Sequence, residues 1–296
     1  MTTFIKKFSE IAENYEILIC DLWGCLHNGK VSFKEALKTL RDFRKSSGLV
    51  VLVTNAPRPT HIVEKQIYEL GINASHYDLL LTSGELTSEH LGINYNNKVK
   101  IFHIGDNRNH SVFQNIGTYN KMLEVEIVTL NEADILVCTE PFNPGSDSID
   151  DYKDILSEGL KRNIPFVCSN PDLVVDIGDV RELCAGSIAN MYDSLGGETI
   201  FLGKPYGKIY QQVYEFIAKK NEIEKNKILC VGDGINTDIK GAVNEGLDSL
   251  LILGGLLRNE FLKKRNNTYH IDEKEFNKFI LMNNVIGPTF AVKSFG

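Results

Sequence analysis

Short apolar runs alternate with helical patterns along most of this chain. Residues 49–53 form a continuous apolar run, as expected for a strand buried on both faces. A helical pattern follows from about Thr60 and stops at Gly71. The apolar runs 228–231 and 250–253 flank another helical pattern in the same way. Such alternation predicts βαβ units and a parallel sheet flanked by helices.

The middle of the chain carries an α/β pattern of its own, which includes a helix predicted over residues 148–162. We therefore predict a core formed by residues 1–84 and 200–296, with residues 85–199 inserted into it as a second α/β domain. The expected fold class is α/β, with a Rossmann-like, doubly wound parallel sheet in the core. Residues 256–296 give no indication of function.

Composition and charge narrow the classes of partner. A formal net charge of −7 argues against nucleic acid or an anionic membrane as the main partner. Residues 1–16 are charged and lack the apolar core of a signal peptide, and no apolar run approaches the length of a bilayer span. The cysteines show no metal-ligand spacing, so we predict reduced, buried thiols in a cytoplasmic protein. They are Cys20, Cys25, Cys138, Cys168, Cys184 and Cys230.

Polar residues follow several of the predicted strands. In chain order they are Asp21, Thr54 with Asn55, Lys204, and Asp233 with Asp238. In a doubly wound parallel sheet the carboxyl ends of the strands converge on one crevice. Each residue alone has an ordinary explanation as a cap, a turn former or a surface charge. Together they suit phosphoryl transfer, because a carboxylate can attack phosphorus, a lysine can offset charge and further carboxylates can hold Mg²⁺.

Several stretches carry a family resemblance. They are Asp21-Leu22-Trp23-Gly24, Val53-Thr54-Asn55, Asn170-Pro171-Asp172, Gly203-Lys204-Pro205 and Gly232-Asp233-Gly234-Ile235-Asn236-Thr237-Asp238-Ile239. On these stretches the chain resembles hydrolases of the haloacid dehalogenase superfamily, class IIA, of the NagD-like and p-nitrophenyl-phosphatase-like type. That class carries its cap domain between the Thr-Asn and Gly-Lys-Pro motifs, where this chain has its inserted middle.

The resemblance implies a set of roles. Asp21 would be the nucleophile, and Lys204 would bridge the nucleophile and the phosphate. The implied phosphate-binding residues are Thr54, Asn55 and Lys204. The implied Mg²⁺ site consists of Asp21, the main-chain carbonyl of Trp23, Asp233 and, in support, Asp238.

Trp23 departs from the family pattern. The phosphatases of this superfamily place a second Asp there, which protonates the leaving oxygen and then activates water. The indole N–H of Trp is a donor that does not titrate usefully. General acid–base catalysis contributes about 10²–10⁴-fold. We therefore expect slow turnover of unactivated esters, whereas a metal held through the main-chain carbonyl is less affected.

Three interpretations follow. The first is a Mg²⁺-dependent phosphatase that uses a good leaving group or a substitute acid, for which His27 is the nearest candidate and a solvated loop histidine the simpler explanation. The second is a carbon–halogen hydrolase, since halide needs no proton. Against it stands the apparent metal pair of Asp233 and Asp238. The third is a protein that binds a phosphorylated ligand without turnover.

The inserted domain offers weaker candidates for substrate contacts. Asn170 and Asp172 are polar, but they also suit a turn. Arg181 could reach a substrate anion, or it could pair on the surface with Asp179 or Glu182. The substrate class is a small phosphorylated metabolite, and a sugar phosphate, a nucleotide and pyridoxal phosphate all stay open. The resemblance also allows a homodimer formed through the cap.

Overall fold

The computed structural model describes residues 2–177, 180–220, 224–265 and 268–296. The chain forms two compact units. The first consists of Met1–Thr54, Gln66–Leu80 and Tyr210–Gly296, and the second of Asn55–Lys65 and Leu81–Ile209. The second unit includes the loops that carry Asn55 and Lys204. These two residues hydrogen-bond to each other. The functional division at 1–84, 85–199 and 200–296 stays a prediction.

The strands, in chain order, are β1 Thr3–Phe4, β2 Ile17–Cys20, β3 Leu49–Thr54, β4 Leu79–Thr82, β5 Lys98–Ile104, β6 Glu124–Ile127, β7 Ile135–Cys138, β8 Phe166–Cys168, β9 Val174–Ile177, β10 Val180–Leu183, β11 Thr199–Phe201, β12 Ile228–Gly232, β13 Asp248–Ile252, β14 Leu262–Arg265, β15 Thr268–Ile271 and β16 Phe290–Val292.

The α-helices are α1 Lys34–Lys45, α2 Thr60–Glu69, α3 Ser83–Asn94, α4 Ser111–Asn115, α5 Lys153–Lys161, α6 Ala185–Ser194, α7 Gly207–Ala218, α8 Lys240–Glu245, α9 Arg258–Phe261 and α10 Glu273–Met282. In α1 the buried side chains recur at helical spacing, as the sequence predicts: Ala36, Leu37, Leu40 and Phe43. Helix α8 ends at Gly246, whose φ of 69° is the left-handed conformation that glycine adopts at helix ends.

The first unit is built on a seven-stranded sheet in the order β1-β16-β13-β12-β2-β3-β4. Strands β2 and β12 are buried along their whole length, and their pairing with each other and with β3 and β13 is parallel. The chain runs from β2 towards β4 on one side and from β12 towards β13 on the other. The direction of winding therefore switches between β2 and β12, the place where open α/β sheets bind their ligands.

The second unit has a parallel sheet in the order β11-β8-β7-β5-β6. Its core includes the fully buried rings of Tyr152, Phe166 and Tyr192, and the hydroxyl of Tyr192 donates to the carbonyl of Ile164 at 2.6 Å. Strands β9 and β10 form an antiparallel hairpin beside it. The Rossmann-like α/β class predicted from the sequence is confirmed, since both sheets are parallel and flanked by helices.

Residues 256–296 complete the first unit. Strand β16 lies between β13 and β1 and pairs with both in parallel. Phe261 and Phe276 are buried edge to face at 5.2 Å between ring centroids, and a short hairpin of β14 and β15 lies between them in the chain. Burial of each ring contributes on the order of 1.5–3 kcal/mol. This segment therefore has a structural role that its sequence pattern is too short and irregular to predict.

No helix in the described parts of the chain is long and apolar enough to cross a lipid bilayer. All six cysteines are buried and free, so their predicted burial is confirmed and their reduced state stays a prediction.

Candidate active site

Asp21 and Asp233 meet because of the sheet's register. Strands β2 and β12 are adjacent and parallel, with Cys20 opposite Val231. Asp21 follows Cys20 directly, and Asp233 follows Gly232 at the end of β12. Both carboxylates therefore leave the same edge of the sheet, at the point where its winding direction switches.

A third carboxylate joins them from the turn after β12. Residues Ile235–Ile239 form a π-helical turn that contains Asp238. One oxygen from each of Asp21, Asp233 and Asp238 lies within 4.8 Å of the other two. All three residues are at most 9% exposed. We call these three residues the carboxylate cluster.

Main-chain groups hold the cluster in place. The N–H of Leu256 donates to Oδ2 of Asp233 at 2.8 Å, and the N–H of Gly234 donates to Oδ2 of Asp238 at 3.1 Å. Gly24, at a φ of 72°, passes so close that a Cβ atom there would overlap the carboxylate of Asp233. A Cβ atom at Gly255 would also overlap the carboxylate of Asp233. Glycine at these two positions lets the backbone approach and orient the carboxylate.

The cluster concentrates negative charge in a buried place. The neighbouring thiol of Cys25 has a pKa raised well above its ordinary value, first by burial and then by the charges of Asp233, Cys20, Asp21 and Asp238. Carboxylates this close repel one another unless a cation or a proton lies between them. An all-oxygen donor set held by the main chain is what Mg²⁺ prefers. The residues therefore fit the implied metal site.

Trp23 is packed into the turn that follows Asp21. The N–H of Gly24 donates to the carbonyl of His27 at 2.8 Å, which closes the turn. The indole meets the ring of His27 edge to face at 5.1 Å, and it covers Gly29 so closely that a Cβ atom there would overlap it. The bulky side chain is thus part of the turn's packing.

His27 is not the solvated loop histidine that the sequence suggested. Its side chain is buried, because the turn folds it under the indole of Trp23, and its Nδ1 accepts a bond from the N–H of Gly29 at 3.0 Å. Burial lowers the pKa of His27 to about 4. At neutral pH the ring is therefore uncharged, which makes it a poor substitute for the missing general acid.

Thr54 ends β3, which is parallel to β2, and it is buried at the same edge of the sheet as Asp21. The predicted phosphate contact of Thr54 agrees with this position and stays a prediction.

Asn55 and Lys204 lie together in the second unit. Oδ1 of Asn55 accepts the N–H of Lys204 at 2.8 Å and the hydroxyl of Ser83 at 3.2 Å. Nδ2 of Asn55 donates to the carbonyl of Lys204 at 3.0 Å and to Oδ1 of Asp172 at 2.9 Å. Lys204 is only 3% exposed. We call Asn55, Ser83, Asp172 and the main chain of Lys204 the amide brace.

The remaining candidates, which lie in the second unit, have local partners. Oδ1 of Asn170 accepts the N–H of Asp172 at 3.1 Å, so Asn170 forms a turn. Arg181 is half exposed and pairs with Asp176 across the hairpin, with Nε and Oδ1 2.8 Å apart. Asp176 is thus a surface partner of Arg181, because it lies directly opposite Arg181 in the ladder; Asp179 lies outside the described residues.

Sequence reasoning missed two parts of this arrangement. It did not identify Gly24 and Gly255 as the glycines packed against the carboxylate of Asp233, although each of them follows a strand closely. It also did not link Asn55 with Asp172, which are 117 positions apart. No local pattern could have revealed that second contact.

Comparison with known proteins identifies the family of this chain. A family model described as haloacid dehalogenase-like hydrolase matches residues 18–119, and a second HAD-hydrolase-like model matches residues 205–273. A solved hydrolase of the haloacid dehalogenase-like family from Brucella suis 1330 has 31% sequence identity and a TM-score of 0.81, over 99% of this chain and 100% of that one.

The chain belongs to the haloacid dehalogenase-like hydrolase family. It is also similar to two more distant family members. Phosphoglycolate phosphatase 1A of Arabidopsis thaliana is 24% identical over 92% of this chain and 77% of its own length. The glycerol phosphate phosphatase of Mycobacterium tuberculosis, solved in complex with magnesium, is 22% identical with a TM-score of 0.60, over 85% of this chain and 71% of that one.

Within this haloacid dehalogenase-like hydrolase, the matched ranges contain most of the candidate site. Asp21, Trp23, Thr54 and Asn55 fall in the first range, and Asp233 and Asp238 in the second. Lys204 directly precedes the second range.

Proposed function

We propose that this chain is a Mg²⁺-dependent phosphomonoesterase that acts on a small phosphorylated metabolite through an aspartyl-phosphate on Asp21. The observation that carries the proposal is the carboxylate cluster at the switch point of the sheet. Family members described as phosphatases, one of them solved with magnesium, support it.

In the proposed reaction, a carboxylate oxygen of Asp21 attacks phosphorus and the ester oxygen leaves with the bonding electrons. Water then hydrolyses the acyl phosphate and releases inorganic phosphate. A Mg²⁺ ion held by Asp21, Asp233, Asp238 and the carbonyl of Trp23 would offset the charge of the phosphoryl oxygens. Thr54 is proposed to bind phosphate and Lys204 to neutralise it. Since all positions of the Asn55 amide are occupied, its proposed phosphate contact falls to the main-chain N–H.

The leaving group decides the rate in this proposal. Trp23 supplies no proton, and the low pKa of His27 removes the nearest alternative. The ester oxygen must therefore leave largely unprotonated, so aryl or otherwise acidic leaving groups should be favoured over alkyl ones.

Trp23 favours a second candidate function, the binding of a phosphorylated ligand without turnover. The carbon–halogen interpretation gains nothing from the cluster, because displacement of halide needs no metal.

The free, buried thiols suit a reducing compartment, so we propose a cytoplasmic location. A homodimer formed through the cap also stays a proposal.

The test is phosphate release from p-nitrophenyl phosphate, with and without Mg²⁺, by the wild type and by Asp21→Asn. We expect Mg²⁺-dependent release that falls to the uncatalysed background in Asp21→Asn, because the amide is no nucleophile. A third variant, Trp23→Asp, separates the two candidate functions. Release by Trp23→Asp alone would favour binding, and no release by any of the three proteins would refute the phosphatase proposal.

A further inference from the structure

The amide of Asn55 is saturated. A primary amide offers two donors and two acceptor lone pairs, and Asn55 uses all four within the amide brace. The partners also fix which end of the amide is oxygen. Its donor end meets only acceptors, a carbonyl and a carboxylate, and its acceptor end meets the N–H of Lys204.

Two of the four bonds go to a single residue. Asn55 accepts from the N–H of Lys204 and donates to its carbonyl, so both main-chain groups of Lys204 are held by one side chain. This fixes the direction in which the Cα–Cβ bond of Lys204 leaves the backbone. The preceding Gly203, at a φ of 131°, has no room for a Cβ atom, which would overlap Ser83 and Asn55. The loop is therefore packed against the brace as well as bonded to it.

Asp172 ties the brace to a turn and to helix α6. Its Oδ1 accepts from Asn55, its N–H is bonded to Asn170, and its carbonyl accepts the N–H of Gly186 in α6. Asp172 is thus itself fixed by a turn and by a helix. An Asn55–Asp172 bond between two fixed groups is strong, because its acceptor is charged.

We propose that Asn55 and Asp172 are positioning residues for Lys204, and that the side chain of Asn55 is not a phosphate ligand. A long lysine side chain needs a fixed base if its ammonium group is to meet a phosphoryl group reproducibly, and a misplacement of about 1 Å can cost about 10²-fold in rate. The proposal deepens the phosphatase function and rests on it.

The decisive variants reverse the polarity of the bond. In Asn55→Asp a carboxylate faces Asp172 and the carbonyl of Lys204 loses its donor, so we expect kcat to fall by about 10²-fold with KM for p-nitrophenyl phosphate nearly unchanged. The double variant Asn55→Asp/Asp172→Asn restores a donor and an acceptor at the pair and returns its charge to that of the wild type. The carbonyl of Lys204 still lacks its donor, so we expect the double variant to recover part of the lost kcat.

The chain offers a matched control in the same unit. Asn115 donates from Nδ2 to Oε1 of Glu85 at 2.8 Å. Asn115→Asp therefore creates the same kind of carboxylate pair away from Lys204, and it should lower the melting temperature without changing kcat. If Asn55 were a phosphate ligand through its side chain, KM would rise in Asn55→Asp and the second substitution would not rescue it. Either result would overturn the proposal.

An NMR measurement tests the brace independently of turnover. Both side-chain N–H protons of Asn55 are bonded, so they should exchange with solvent far more slowly than those of the exposed Asn14. If the wild type shows no turnover, the phosphatase proposal fails and this experiment still decides the brace: exchange of Asn55 as fast as that of Asn14 would refute it.

Discussion

The first unit contains the carboxylate cluster and the second unit contains the amide brace. Both are buried groups of polar side chains, but they differ in how donors and acceptors are balanced. The brace matches each donor with an acceptor inside the protein. The cluster brings three acceptor-only groups within 4.8 Å of one another, and main-chain N–H groups donate to Asp233 and Asp238. The brace is thus built for rigidity, whereas the crowding of carboxylates in the cluster favours a bound cation.

The largest effect should come from giving the cluster a proton donor. In Trp23→Asp we expect turnover of an alkyl phosphate such as glycerol 3-phosphate to rise by about 10²–10⁴-fold, with a much smaller change for p-nitrophenyl phosphate. The measurement is kcat/KM for both substrates at saturating Mg²⁺.

The same substitution removes the indole from Gly29 and His27. It should therefore destabilise the protein by about 2 kcal/mol, less than the 3–5 kcal/mol of a fully buried Trp. An equal gain on both substrates would contradict the assignment of position 23 to proton transfer. Trp23→Asn, which has a similar volume to Asp but no acid, is the control.

Removal of one charge from the cluster should stabilise the metal-free protein. Asp233→Asn keeps an acceptor for the N–H of Leu256 and relieves repulsion worth about 3 kcal/mol at an effective dielectric constant near 20. Urea unfolding in EDTA should show that gain, and the stabilisation that Mg²⁺ gives the wild type should be lost.

Asp176→Asn is the matched control, because its carboxylate pairs with the half-exposed Arg181. We expect it to change stability by less than about 1 kcal/mol. If Asp233→Asn destabilised the metal-free protein, the cluster would be satisfied without a cation and the comparison with the brace would fail.

The smallest expected effect is on the pH dependence of stability. It tests burial, which both units share, apart from the crowding of charges, which is found in the cluster. Burial lowers the pKa of both His27, in the first unit, and His103, in the second, to about 4. The unfolded chain binds their protons near pH 6.5, so each histidine costs stability as the pH falls from 6.5 towards 4. We expect about 2 kcal/mol from each between pH 8 and pH 5.

His27→Asn keeps an acceptor for Gly29, and His103→Gln keeps a partner for the hydroxyl of Thr139, which lies 2.9 Å from Nε2 of the wild-type ring. Each variant should lose a similar part of the acid sensitivity in urea titrations. A loss confined to His27→Asn would mean that the two units differ in burial as well as in charge.

The sequence predicted what depends on local pattern. Apolar runs such as residues 49–53 and 228–231 gave the central strands, and the position of Asp21 and Asp233 directly after strands gave the cluster, because parallel neighbours share an edge. The sequence did not predict features that depend on tertiary packing. Whether His27 is buried depends on how Trp23 folds over it, and whether Asn55 bonds to Asp172 depends on the packing of segments far apart in the chain.

Strand β1 pairs with β16, and β16 alone separates it from β13. During translation, residues 3–4 are made before every other strand described, whereas their partner at 290–292 is made after all of them. At about 5–20 residues per second, this interval is on the order of 15 to 60 s. From the synthesis of residue 252 until that of residue 290, about 2 to 8 s later, the edge of β13 also carries unpaired main-chain groups of the kind that recruit foreign strands. Deletion of the short stretch around β16 would make this transient state permanent, so such truncations should appear in cells as insoluble protein.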